Sequence, residues 1–173
     1  MESQNEKRRF LLVAVSVTLV IVTSVGVYLM NGPSSGSLYN EYYSTSDLPS
    51  LVQRNVESTT LEEATLEFEG GDFGDALVLY EKYRMETPEP RPEAYLYEGM
   101  SQLELDDFEG AVKSFDRFIN SNSVDRLKGL WFKALAYLKA EDIQNARAIL
   151  SNITEDSSNF NYQKARELLE KLN

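Results

Sequence analysis

The sequence predicts an all-α protein in which one membrane-spanning helix precedes three helical hairpins and a terminal capping helix. Residues 10–30 form an apolar run of 21 residues without a charge. From residue 57 onward, residues of the same character recur at an offset of 35. Within each repeat, apolar residues follow the i, i+3, i+4, i+7 spacing of an amphipathic helix. Together these three observations predict helices throughout.

The apolar run at residues 10–30 has the length of a transmembrane helix. At about 1.5 Å per residue it spans roughly 30 Å, the thickness of a bilayer hydrocarbon core. Residues 7–9 read Lys-Arg-Arg, and no Lys or Arg follows until Arg54. The positive-inside rule therefore predicts that residues 1–9 are cytoplasmic and that the repeats lie on the translocated side, which is periplasmic in a bacterium.

A cleaved signal peptide is the alternative interpretation of the same run. The apolar region of a signal peptide is normally about 7–15 residues long and ends at a small-x-small cleavage site. Here the run is longer, and no Ala-x-Ala follows it. We therefore favour an uncleaved anchor.

Residues 31–56 predict a tether between the anchor and the repeats. Residues 31–37 read Asn-Gly-Pro-Ser-Ser-Gly-Ser, a composition typical of flexible linkers. The tyrosine-rich stretch Leu-Tyr-Asn-Glu-Tyr-Tyr follows at residues 38–43. Two interpretations stay open: these tyrosines dock on the repeats or on a partner, or they rest at the membrane interface, where aromatic rings are favourable.

The repeated part, residues 57–156, divides into helical hairpins at 57–91, 92–126 and 127–156. Seven columns agree in character at the 35-residue offset: Ala64, Gly99 and Ala134; Phe68, Leu103 and Leu138; Asp72, Asp107 and Asp142; Phe73, Phe108 and Ile143; Ala76, Ala111 and Ala146; Tyr80, Phe115 and Leu150; Tyr83, Phe118 and Ile153. The aspartates stand where the second helix of each hairpin needs an N-cap. The Ala and Gly columns predict close helix approaches. Residues 157–173 then predict a capping helix with a polar outer face.

This pattern resembles the tetratricopeptide repeat family, in which small residues and bulky apolar residues occupy fixed places of each unit. Pro88 closes the first unit, as a proline often does in the family. The sequence departs from the family where Glu63, Glu98 and Lys133 replace its leucine in the seventh place. The resemblance implies a right-handed superhelical arc with a concave groove that binds a protein or peptide partner.

The family places groove residues on the first helix of each unit. Carried over, the candidate partner-binding residues are Leu61, Thr65, Phe68, Glu93, Leu96, Met100, Lys128, Trp131, Leu135 and Lys139. Family members that clamp a C-terminal carboxylate use Lys and Asn where this chain carries apolar residues such as Leu96 and Met100, so a carboxylate would find no charge partner. We expect an apolar groove with Trp131 as its anchor, since aromatic residues dominate interface energetics.

Two other interpretations of these groove residues stay open. In the first interpretation, leucines such as Leu96 pack between neighbouring hairpins. In the second, the Tyr39–Tyr43 stretch covers the groove in the resting state.

The resemblance implies a membrane-anchored scaffold or adaptor, and anchored tetratricopeptide proteins of bacterial envelopes are its nearest functional neighbours. The alternative is a structural subunit of a membrane complex, held mainly through the transmembrane anchor at residues 10–30. Neither the identity of a partner nor the oligomeric state follows from the sequence.

Composition argues against other function classes. The chain has no Cys and no His and a net charge of −11. The absence of both residue types removes the usual zinc sites and the commonest general base. A chain this acidic repels the nucleic-acid backbone. No phosphate-binding loop or nucleophile motif is present, so we expect no enzymatic activity, no metal and no cofactor.

Overall fold

The computed structural model of this protein describes residues 33–51 and 59–172. Those residues form eight α-helices and one 3₁₀ helix without a strand, which confirms the all-α class for this part of the chain. In chain order the helices are α1 (Ser35–Tyr42), the 3₁₀ helix (Thr45–Asp47), α2 (Thr59–Gly70), α3 (Phe73–Glu86), α4 (Glu93–Glu104), α5 (Phe108–Ile119), α6 (Lys128–Lys139), α7 (Ile143–Ile153) and α8 (Tyr162–Lys171).

The predicted transmembrane helix at residues 10–30 lies outside the described residues. Within the described ranges, no helix is both long enough and apolar enough to cross a membrane.

Three helical hairpins make up the repeated part. Within the hairpins α2 packs on α3, α4 on α5 and α6 on α7, and between neighbouring hairpins α3 packs on α4 and α5 on α6. At the C-terminal end, α8 packs on α7. A single hairpin cannot bury its apolar face, so each hairpin packs that face against the next one.

The turn between the two helices has the same backbone conformation in all three hairpins. Gly71, Asp106 and Glu141 have φ angles of 86°, 60° and 59°. The amide of the following residue donates to the carbonyl oxygen five positions earlier, over 2.8–2.9 Å. This is the left-handed helix ending that favours glycine, yet two of the three hairpins carry an acidic residue there.

The prediction that the three aligned aspartates cap the second helices through their side chains is confirmed for two of them. The carboxylates of Asp107 and Asp142 accept hydrogen bonds from the amide of the third helical residue, at 3.0 and 3.1 Å. Asp72 occupies the same position but makes no side-chain capping bond, so that prediction is wrong. The third helical residue there is Asp75, whereas its counterparts are the uncharged Gly110 and Asn145.

The small residue at Gly99 is required by close packing. A Cβ atom on Gly99 would lie 2.5 Å from a ring carbon of Phe115, inside van der Waals contact. The Phe115 ring is itself fully buried. The predicted close approach of α4 and α5 is therefore confirmed.

The capping helix is shorter than the predicted segment 157–173. It begins at Tyr162, because Asn161 has a left-handed φ of 58° and a turn precedes it. In that turn the carboxylate of Asp156 accepts a hydrogen bond from the Ser158 amide at 2.9 Å.

Part of the predicted tether is helical: residues 35–42 form α1 and residues 45–47 form the 3₁₀ helix. Ser35, Gly36 and Ser37 form the first turn of α1, although their composition indicates a linker. Leu38 and Leu51 are 1% and 5% exposed. Burial of these side chains on the repeats outweighs the low helix propensity of the glycine and serines.

Candidate functional site

The predicted groove residues lie on the first helix of each hairpin, as expected. Leu61, Thr65 and Phe68 lie on α2; Glu93, Leu96 and Met100 on α4; and Lys128, Trp131, Leu135 and Lys139 on α6. The six apolar members of the set are all buried, whereas the Thr, Glu and Lys members are partly exposed. Phe68 packs between hairpins, against Tyr97 of α4, whereas Trp131 contacts Tyr42 of α1. That these residues contact a partner protein stays a prediction.

Residues 35–51, the covering segment, pack on the apolar surface of the repeats. Helix α1 packs on α6. The Tyr42 ring meets the Trp131 ring edge-on, with centroids 6.2 Å apart. The ammonium nitrogen of Lys139 lies 5.5 Å from the centroid of the Tyr39 ring, a cation–π contact. The structure therefore places the tyrosine-rich stretch on predicted groove residues of α6.

Hydrogen bonds hold the covering segment to α4. The Tyr39 hydroxyl donates to a carboxylate oxygen of Glu104 at 3.0 Å, and the Tyr97 hydroxyl donates to the Pro49 carbonyl at 3.0 Å. Burial, reinforced by the carboxylate of Glu69, raises the pKa of Tyr97 to about 12. Burial, followed by the Glu104 charge, raises the pKa of Tyr39 further still. Both hydroxyls therefore stay protonated donors at neutral pH.

Basic and amide side chains around the groove bind the acidic groups of the covering segment. The Lys164 ammonium and the Asn161 amide contact a carboxylate oxygen of Asp47 at 3.0 and 3.1 Å. The Lys171 ammonium donates to Glu41, and this bond raises the pKa of Lys171. Residues 33–51 carry these two acidic residues and no Lys or Arg. The groove rim is thus locally basic, although the whole chain has a net charge of −11.

Sequence reasoning missed this basic rim. Lys164 and Lys171 belong to α8, and Arg91, which donates to the Leu51 carbonyl, lies between α3 and α4. None of the three residues lies on the first helix of a hairpin, where the family pattern places groove residues. The signal that could have found them is charge complementarity between α8, with its lysines, and the acidic tether.

The indole of Trp131 is fully buried but incompletely satisfied. Its nitrogen has no hydrogen-bond partner among the described residues. A buried N–H group without an acceptor costs roughly 1–3 kcal/mol.

The charged residues that replace the family's leucine have a structural role in two hairpins. The Glu98 carboxylate on α4 lies 2.6 Å from the guanidinium of Arg84 on α3, and Lys133 on α6 contacts Asp116 on α5 at 2.7 Å. Each pair joins one hairpin to the next. Burial raises the pKa of Glu98, although the Arg84 charge opposes this shift.

A surface cavity of about 460 Å³ lies at the C-terminal ends of α2 and α4. We call it the acidic–aromatic pocket, because its lining combines two carboxylates with three aromatic rings: Glu69 and Glu104, and Tyr43, Phe68 and Phe73. The Phe68 and Phe73 rings meet edge-on, with centroids 5.5 Å apart. Tyr43 comes from the covering segment, so the pocket is complete with that segment in place.

The described residues show no metal site. They contain no group of three or more Asp, Glu, His or Cys side chains placed to hold a metal ion.

Comparison with known proteins supports the repeat. The family model of the tetratricopeptide repeat matches residues 93–123, which contain α4, α5 and the turn between them. No curated protein matches the chain. The chain therefore contains a tetratricopeptide repeat at its second helical hairpin.

Proposed function

We propose that this protein is a membrane-anchored adaptor that binds partner proteins in the groove formed by α2, α4 and α6. Tetratricopeptide repeats generally mediate protein binding, and the repeat at residues 93–123 supports this class of function. The uncharged apolar run at residues 10–30 supports the anchor.

One observation carries the proposal: the groove surface already holds a short helix. Leu38, Tyr39 and Tyr42 of α1 are all buried on the repeats. Insertion of the apolar face of a helix into a groove is a common mode of peptide recognition. The covering segment is therefore a template for the partner.

The template specifies the chemistry of the partner segment. Its apolar and aromatic groups fill the space beside Trp131, and its acidic groups pair with Lys164 and Lys171. We infer that the partner presents a short acidic helix with Leu and Tyr on one face. Such a helix reaches the groove by displacing residues 33–51.

Displacement makes partner affinity depend on how often the covering segment leaves. A segment joined to its own site competes at an effective concentration on the order of millimolar. The measured dissociation constant equals the intrinsic one divided by the fraction of open molecules. Weakening the segment therefore raises partner affinity.

A peptide titration tests this function. A fluorescent peptide of residues 35–51 is added to the full chain in detergent micelles. We expect binding to the double variant Leu38→Ala/Tyr42→Ala to be at least about tenfold tighter than to the wild type. A scrambled peptide and the variant Asn40→Ala, whose side chain is exposed on α1, serve as controls. If the folded double variant does not bind the peptide, the groove is not a helix-binding site.

The membrane topology is part of the proposal and has its own test. The repeats lie on the translocated side in this scheme, because the basic cluster at residues 7–9 precedes the apolar run. Protease added to intact cells or spheroplasts should digest the repeats. Protection of the repeats until the membrane is lysed would reverse the orientation.

A further inference from the structure

The acidic–aromatic pocket has an electrostatic character that favours a cation. Helices α2 and α4 both end at it, and the C-terminus of a helix carries a partial negative charge. The Glu69 carboxylate adds a full charge, and Glu104 adds a second carboxylate whose charge is partly balanced by Lys139, 3.8 Å away. Glu69 makes no ion pair within the described residues, so its charge is available to a ligand.

The internal repeat shows which cation fits. At the end of α4, the Lys139 ammonium donates to the Leu103 carbonyl at 2.7 Å and lies 3.0 Å from the Asp106 carboxylate. It also lies 3.8 Å from Glu104 and faces the Tyr39 ring. The ammonium thus caps the C-terminus of the helix against an aromatic ring.

One repeat earlier, the end of the helix and one of the two carboxylates recur without the lysine, since Gly71 stands where the later repeat has Asp106. At the 35-residue offset, Leu103, Glu104 and Asp106 correspond to Phe68, Glu69 and Gly71, all of which line the pocket. The position of Lys139 corresponds to Glu104, which is a carboxylate. The Tyr43 ring, which lines the pocket, is stacked on that of Tyr39, with centroids 5.2 Å apart. The first hairpin therefore keeps the helix end, one carboxylate and a nearby aromatic ring of the Lys139 environment, and it has a cavity where the lysine would lie.

We propose that the acidic–aromatic pocket binds a lysine side chain of a partner protein. The aliphatic stem lies along the rings of Tyr43, Phe68 and Phe73, and the ammonium group lies between Glu69, Glu104 and the end of α2. Aromatic faces and carboxylates together favour a cation with an apolar stem. Because Tyr43 belongs to the covering segment, this site requires the segment in place and does not depend on the displacement proposed above.

An NMR titration tests the proposal with the full chain in detergent micelles. The probe is Nα-acetyl-lysine methylamide, and its uncharged control is the norleucine analogue, which has the same stem. We expect the lysine probe to shift the amide signals of Gly70 and Gly71 saturably and the norleucine analogue to leave them unchanged. Equal shifts with both probes would overturn the proposal.

Two matched variants locate the charge. Glu69→Gln should weaken lysine binding about threefold to tenfold, because it removes one carboxylate from the pocket. Glu141→Gln, which removes the same charge from the exposed turn of the third hairpin, should leave the affinity unchanged. Equal affinities of wild type and Glu69→Gln would refute the site. Groove binding is followed at the Trp131 indole signal, so failure of either proposal is recognised separately.

Discussion

The ring of Tyr42 lies edge-on against the ring of Trp131, with 6.2 Å between the centroids and 65° between the planes. This contact joins the segment before the repeats to the residue that the sequence predicts as the groove anchor. Both side chains are buried, and Trp131 is fully so. The two residues lie far apart in the chain, and the contact closes the groove over α6.

Truncation at this contact should release the covering segment. Tyr42→Ala removes the ring from Trp131 and leaves a cavity, a change that costs about 3–5 kcal/mol when a large aromatic side chain is lost. We expect hydrogen exchange of the amides in residues 38–47 to accelerate at least about a hundredfold, while amides of α4 and α5 keep their protection. Asn40→Ala is the control. Unchanged exchange in Tyr42→Ala would mean that this contact does not hold the segment.

Gly99 should not tolerate even one methyl group. The added Cβ would lie 2.5 Å from the Phe115 ring, so Gly99→Ala should lower the free energy of unfolding by about 1–3 kcal/mol in urea denaturation. Phe115→Leu in the same chain should recover part of this loss. At Gly74 of α3 a Cβ meets nothing within 4 Å, so Gly74→Ala should stabilise by about 0.5–1 kcal/mol. A stabilised Gly99→Ala variant would contradict the packing of α4 on α5.

The buried Glu98 carboxylate depends on the Arg84 guanidinium. Arg84→Met should lower the free energy of unfolding by about 3–5 kcal/mol at pH 7, because it leaves a charge buried beside the more distant Arg117. The double variant Arg84→Met/Glu98→Leu should recover most of this loss. Replacing a buried pair by apolar groups is often neutral or stabilising.

The same pair predicts a pH dependence. Burial raises the folded-state pKa of Glu98 above its ordinary value of 4.5, so the ionised carboxylate destabilises the fold above that pKa. Below pH 4.5 the carboxyl group is protonated in both states and the penalty disappears. The stability difference between wild type and Arg84→Met should therefore shrink as the pH falls from 7 to 4, measured by urea denaturation. A difference that grows over this range would mean that the carboxylate is not the source of the loss.

Glu141→Gly should stabilise the protein. Glu141 has a φ of 59°, a left-handed conformation that glycine adopts without strain. We expect a gain of about 1 kcal/mol, seen as a higher midpoint in thermal denaturation. Asp106→Gly should gain less, because it also removes the 3.0 Å contact with Lys139. Equal gains from the two variants would mean that the ion pair between Asp106 and Lys139 contributes nothing to the free energy of unfolding.

Local patterns were enough to predict the helical hairpins. The spacing of apolar residues and the 35-residue offset predict helical hairpins, which the described residues contain, because each hairpin is stabilised by contacts close in sequence. The same offset predicts that Gly99 lies at a close approach of two helices. Within the predicted capping segment, the helix begins only at Tyr162, and the left-handed residue Asn161 before it carries no periodic signal.

The candidate site depends on longer-range contacts. Two of its ion pairs join residues that lie more than a hundred positions apart: Lys171 with Glu41, and Lys164 with Asp47. No periodic pattern in the sequence predicts such pairs. The composition of residues 31–37 predicts a flexible linker, yet residues 35–37 form the first turn of α1. Helix propensity is a weak effect compared with burial of the following side chains on the apolar surface of the repeats.

By itself, then, the sequence determined the class of fold and the repeat, since periodicity along one chain encodes contacts between neighbours. Tertiary structure alone decided that residues 35–51 pack on α6, that Lys164 and Lys171 pair with the acidic side chains of that segment, and that the acidic–aromatic pocket lies at the ends of α2 and α4. These features arise from side chains brought together by the stacking of hairpins, and their energies depend on distances and burial that no local pattern contains.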